Sequence, residues 1–172
     1  DDSNFVIVGT HFDTKLLAGV DGFQGANDGG SSTGAVLAMM KAINDSGVRP
    51  PLTIRFVFFD GEECYDSYTD TDGLFGSRFY ADKLDKLNEI EDCRAMILLD
   101  MIGDRNLKIT LPVNTDPSLR ELLFSVAKKQ NVESHLSDYS RSMVDDFVPF
   151  QKKGVPAIDL IDFDFGPDNI YW

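Results

Sequence analysis

The chain has 172 residues, 42% of them hydrophobic and 11% aromatic, which is ample for one domain with a sizeable core and argues against disorder. Its 29 acidic residues against 16 basic ones give a formal charge of −13. That balance repels nucleic acid and anionic membrane surfaces at long range and disfavours both as partners.

In chain order, Phe5-Val6-Ile7-Val8 is a short β-branched run closed by Gly9, the pattern of a buried strand. A Gly-rich loop, Leu17 to Gly30, follows. Ser31 or Ser32 is placed to cap a helix carrying Val36, Met39, Met40 and Ile43 at helical spacing, with Gly47 at its end. Pro50-Pro51 resets the chain, and Leu52 to Phe59 reads as a second strand. A polar loop through Tyr68 and Asp72 leads to a helix from about Gly76 to Leu87. Ala95 to Leu99 and Leu107 to Leu111 read as further strands. Asp116-Pro117 is a cap followed by a first-turn proline, with Leu119, Leu122, Leu123 and Val126 assigned to one helix face and Lys128-Lys129 to the last turn. Asp145 to Lys153 suits a short helix stopped by Gly154, and Ala157 to Ile161 a last strand. Strands alternating with helices imply an α/β domain, a three-layer α/β/α sandwich on a mainly parallel mixed sheet.

Several bulk features bound the reading. No apolar run approaches the ~20 residues of a membrane span. Cys64 and Cys93 could close one disulfide, but two cysteines cannot build a scaffold. The chain opens at Asp1 almost directly on a strand and closes on Ile170-Tyr171-Trp172 without a terminal helix. A single catalytic domain, 1–172, cut at both ends, is the expectation.

In open α/β sheets, binding sites gather beyond the carboxyl ends of strands, and here the strand-like runs end in chemistry. The first leads to His11-Phe12-Asp13, the second to Asp60-Gly61-Glu62-Glu63, the third to Asp100, and the last to Asp159, Asp162 and Asp164. Gly25-Ala26-Asn27-Asp28-Gly29-Gly30 precedes the first helix. A catalytic zinc needs three anionic or imidazole ligands and an open position, with an unligated carboxylate nearby to move protons. Adjacent Glu62 and Glu63 suit that division, since neighbours in an extended loop point to different sides.

These segments, with Phe58-Phe59-Asp60-Gly61-Glu62-Glu63, Leu98-Leu99-Asp100-Met101-Ile102-Gly103 and Asp145-Asp146-Phe147-Val148-Pro149-Phe150, resemble the zinc aminopeptidases and their relatives, the animal-type glutaminyl-peptide cyclotransferases, through nearly the whole chain. The resemblance implies a zinc exopeptidase-like fold and one or two Zn2+ ions. It makes Asp28 and Glu63 zinc ligands and Glu62 the proton-transferring acid/base. His11 and Asp100 match the additional ligands of a second zinc in the aminopeptidases. In the cyclotransferases Asp100 instead corresponds to a carboxylate bonded to the catalytic glutamate, in a network with the counterpart of Asp146. The last family ligand is a histidine after an aromatic residue, which would follow Trp172. His135 matches no family motif and reads as a surface histidine.

The twelve residues from Cys64 through Phe75, followed by Gly76-Ser77-Arg78, are similar to the longer loop of the cyclotransferases. Cyclisation of an amino-terminal glutamine is therefore the first reading, and aminopeptidase hydrolysis the alternative. A metal-free peptide-binding relative is a third. The expected partners are peptides with a free amino terminus. Trp172, Tyr68 and Phe147 are expected to wall the substrate pocket. Asp138, Asp159, Asp162 and Asp164 are read mainly as surface or loop carboxylates. The resemblance also points to a secreted or periplasmic location.

Overall fold

A computed structural model describes residues 3–166 and Asn169. Trp172, expected at the pocket wall, lies outside the described residues. The strands are β1 (Phe5–His11), β2 (Thr53–Phe59), β3 (Cys93–Asp100), β4 (Ile109–Leu111), β5 (Leu136–Asp138) and β6 (Ala157–Ile161). They form one sheet in the order β2-β1-β3-β6-β4-β5. Pairing is parallel from β2 through β6 and between β4 and β5, and antiparallel only where β4 meets β6 at Thr110 and Ile161. The helices are α1 (Gly30–Ser46), α2 (Phe75–Lys86), α3 (Pro117–Gln130) and the single turn α4 (Val148–Gln151).

The alternation of the strands sorts the core onto two faces. Phe5, Ile7, Met96, Leu98 and Ala157 meet Ala81 and Leu84 of α2 and Phe150 of α4. Val8 and Leu99 meet Val36 of α1, while Ile109, Leu111 and Ile158 meet Leu119, Leu123 and Phe124 of α3. Ile97 and Ile102 touch both of these last groups, so α1 and α3 share a face and α2 and α4 cover the other. The result is the expected α/β sandwich.

Four local readings change. The cap of α1 is Gly29, and Ser31 and Ser32 lie inside its first turn. Their hydroxyls are used across the fold instead: Ser32 Oγ accepts from Thr10 Oγ1 at 2.7 Å, and Ser31 Oγ donates to Asn27 O at 2.6 Å while accepting from the Ile102 N–H. In α3 the inward stripe runs through the partly buried Leu119 and Leu123 to the buried Ala127, and Leu122 and Val126 are 60% and 46% exposed. The helix expected from Asp145 shortens to one turn, because the preceding carboxylates turn inward. Cys64 and Cys93 are free and buried; Cys93 starts β3 while Cys64 follows the end of β2, at opposite ends of the parallel sheet.

Candidate functional site

Five carboxylates converge where β1, β2 and β3 end. A cavity of about 470 Å3 is lined by Asp28, Glu62, Glu63, Asp100 and Asp145, with Lys15 and Tyr68 beside them. His11, the last residue of β1, is buried beneath it, its Nε2 3.0 Å from Asp28 Oδ1 and 3.2 Å from Asp100 Oδ1. One ligand atom from each of His11, Asp28 and Asp100 lies within 4.8 Å of the others, a donor set of the kind that zinc accepts. Burial opposes a charge on His11, but the hydrogen bonds of Asp100, Asp13 and Asp28 prevail and hold its proton far above the ordinary range.

The backbone is shaped to make this approach possible. Gly29 has φ +80°, and a Cβ there would lie 2.9 Å from the Asp13 carbonyl and 3.1 Å from the His11 ring. Only glycine lets the Asp28 loop pass so close over the histidine. Asn27 Oδ1 accepts from the Gly103 N–H at 2.8 Å, tying this loop to the turn after β3. That turn begins at Met101, a buried non-glycine residue with φ 49°, so the strand reverses immediately after presenting Asp100.

Glu62 is buried, and its Oε1 accepts the Tyr68 hydroxyl at 2.8 Å. Tyr68 reaches it because the loop after Glu63 folds back at Gly73, where φ is +76° and a Cβ would meet the tyrosine ring at 2.6 Å. Burial, with the charges of Asp146 and Asp100 adding to it, lifts Glu62 to about 9 against the relief supplied by His11 and Tyr68. Burial and the neighbouring Asp28 raise Glu63 to about 7.

Glu63 lines the same cavity as Asp28 but stands outside the His11, Asp28 and Asp100 group. Its Oε2 lies 3.6 Å from Lys15 Nζ, and its buried Oε1 has no hydrogen-bond partner among the described residues. An orphaned carboxylate oxygen beside a second carboxylate fits a cation bound between them. The residues present therefore fit the expected metal in two overlapping ways, both through Asp28.

One expected site residue is displaced. Phe147 is fully buried in the core with Phe5, Ile7 and Phe150; its position before α4 points it under the helix, not into the cavity. Asp146 is fully buried behind the site, near enough for its charge to act on Glu62, and Asp145 is the member of the pair that lines the cavity. The Asp145 Oδ1 accepts the Asp146 N–H at 2.5 Å, which fixes the turn that separates them.

Other residues escaped the sequence reading. Asp13 accepts the Glu62 N–H on Oδ1 and the Glu63 N–H on Oδ2, both at 3.1 Å, and lies 3.5 Å from His11 Nδ1. It holds both glutamates and the histidine with one side chain. The signal was its period-two spacing from His11, with Phe12 turned outward between them. Asp159 and Asp162 are buried, not surface carboxylates, whereas Asp138 and Asp164 are exposed as expected. Burial pushes Asp159 well above the carboxylate range, and Asp100 and Asp146 add to the shift. His135 is exposed, its Nδ1 3.0 Å from the Leu107 carbonyl oxygen.

With this geometry in view, the sequence matches the profile of peptidase family M28 over residues 1–170. The chain belongs to peptidase family M28. It is 29% identical to a glutaminyl-peptide cyclotransferase of Boiga dendrophila, over 91% of this chain and 51% of that protein. The structure of an Acidobacteriales bacterium glutaminyl cyclase superposes with a TM-score of 0.86 at 36% identity, covering 95% of this chain and 56% of that one. A Zn-dependent exopeptidase from Parabacteroides distasonis, 23% identical with a TM-score of 0.80 over 100% of this chain and 65% of its own, shares the fold. The chain spans about half the length of the curated relatives it matches. Among the described residues no helix is long and apolar enough to cross a membrane.

Proposed function

We propose that the protein is a zinc-dependent enzyme that acts on peptide amino termini and cyclises an amino-terminal glutamine to pyroglutamate with release of ammonia. The observation that carries this reading is the setting of Glu62. The loop from Cys64 through Phe75 brings the Tyr68 hydroxyl onto one oxygen of this buried carboxylate, fixing its orientation at the cavity wall. Burial and the charges of Asp146 and Asp100 raise its proton affinity towards that of an amine, about 9. A carboxyl group raised above the ordinary range is, once ionised, a stronger base than an exposed one, which suits passing a proton between two nitrogens.

The α-amine attacks the γ-carbon of its own side-chain amide, forming the ring C–N bond as the bond to the amide nitrogen breaks. Glu62 takes one proton from the attacking amine and returns it to the departing nitrogen, which leaves as ammonia. Asp100 and Asp145 line the same cavity and offer hydrogen-bond acceptors to a substrate amine. Asp28 and Glu63 would hold zinc, with His11 and Asp100 the donors for a second ion. When bound, zinc would polarise the substrate carbonyl as a Lewis acid.

One observation favours aminopeptidase hydrolysis instead: the grouping of His11, Asp28 and Asp100 within 4.8 Å, which suits a second metal. Zinc content of the full-length protein, measured with ammonia release from Gln-peptides and amino-acid release from unblocked peptides, separates the two. Cyclisation predicts ammonia without amino acid. Glu62→Gln is expected to slow the reaction by about 10²–10⁴-fold, and an unchanged rate would remove Glu62 from its role.

A further inference from the structure

The amino-terminal cavity has a neighbour of the opposite character. A second cavity of about 460 Å3 adjoins it, and Tyr68 and Val144 line both. The first carries Asp28, Glu62, Glu63, Asp100 and Asp145 against the one cation Lys15 among its described lining residues. The second is lined by Arg78, Lys152 and Lys153 beside Asp70 and Asp82, three cations in a chain of net charge −13.

Those cations are not equally engaged. Lys153 Nζ is held at 2.9 Å from Asp82 and 2.8 Å from Asp85. Arg78 and Lys152 enter none of the ion pairs among the described residues. Arg78 donates through Nη2 to the Thr69 carbonyl, and its buried Nη1 finds no acceptor there. Their positive potential is therefore left to act on whatever enters the cavity. Val144, Val148 and Pro149 add apolar contact beside them.

This arrangement bears on the peptide-substrate reading above and rests on it. We propose that the second cavity is the subsite for the residues following the amino-terminal one, and that it selects an acidic side chain. The wall shared through Tyr68 and Val144 sets it next to a peptide whose amino group sits among the carboxylates of the first cavity. An extended chain advances about 3.4 Å per residue, so side chains a few positions beyond the terminus extend past the first cavity. Charge complementarity then runs along the whole substrate, ammonium in the acidic cavity and carboxylate in the basic one.

The test uses full-length protein carrying Glu62→Gln and peptides with an amino-terminal glutamine, in which Glu or Lys is placed in turn at positions two, three and four. Calorimetry is expected to show about fivefold tighter binding of Glu over Lys at one of these positions, declining with added salt. Arg78→Gln should abolish the preference. Lys152→Glu, an exposed change that leaves the Thr69 contact intact, should reverse it, while turnover of glutamine amide by the protein with native Glu62 stays unchanged. Equal affinity for Glu and Lys peptides at every position overturns the subsite. Turnover of glutamine amide without that preference overturns the subsite alone, and failure to bind or turn over any such compound overturns the peptide reading with it.

Discussion

The two faces of the sheet use the same strands and end differently. Beneath α1 and α3, Val8, Ile97, Leu99 and Ile158 form an uncharged layer that Thr10, bonded to Ser32, closes on β1. Beneath α2 and α4, Phe5, Ile7, Met96, Leu98 and Ala157 are succeeded by His11, Asp100 and Asp159. Because side chains alternate, each strand delivers its charged residue to one face only. The α2 and α4 face thus carries both the larger apolar core and the strained electrostatics, and its buried carboxyl groups keep their protons at a cost to the fold. Beyond the Asp28 loop that opens α1, the α1 and α3 face should not respond to metal or to pH in the same way.

Removing Asp13 should produce the largest break between the faces. Its carboxylate is the acceptor for the Glu62 and Glu63 amides and a neighbour of His11. In Asp13→Ala two amide donors lose their partners, a loss of about 1–3 kcal/mol, and the ligand-bearing turn loses its anchor. Zinc affinity, measured by chelator competition, should fall about 10- to 100-fold. Wild-type affinity in this variant would show that the turn orders itself without the carboxylate.

The second effect is a pH dependence confined to the acidic face. Burial foremost lifts Asp146 from the ordinary 3.8 to about 7. The folded state thus holds a proton that the unfolded chain releases above pH 4. Its contribution to stability is complete below 3.8 and is lost as pH rises through about 7, with a slope of at most about 1.4 kcal/mol per pH unit. The thermal midpoint of metal-free protein minus that of Asp146→Asn should decline across this window. A flat difference would mean that Asp146 is ionised in the fold.

The sequence made the apolar half of this contrast legible and only part of the other. Strand runs such as Phe5 to Val8 and the ends at His11, Glu62 and Asp100 follow from period and position. Asp159 did not, because β6 is covered on both faces and Ala157, Ile158 and Asp159 are all buried, which erases the alternation that marks an inward side. Nor could Asp145 be told from Asp146, since which of two adjacent carboxylates enters a cavity depends on the turn between them. The short strand β5 was missed for want of length and apolar residues. Met101 carries no sequence sign of its left-handed turn, which tertiary packing imposes. The loop of Asp13 was visible as a motif, but its two amide contacts exist only once β2 lies beside β1.

The smallest effect sharpens the comparison from the quiet side. Asp116 caps α3, its Oδ1 accepting the Ser118 and Leu119 N–H groups at 2.9 and 3.1 Å. The Ser118 hydroxyl leads these contacts in holding its carboxyl below the ordinary range. Asp116→Ala should cost about 1 kcal/mol of stability, read as a lower denaturant midpoint with unchanged slope. Because α3 packs on the apolar face through Leu119, Leu123 and Phe124, zinc affinity should not move, nor should the pH dependence attributed to Asp146. A change in either would show that the two faces communicate through the sheet, and the separation argued from their side chains would fail.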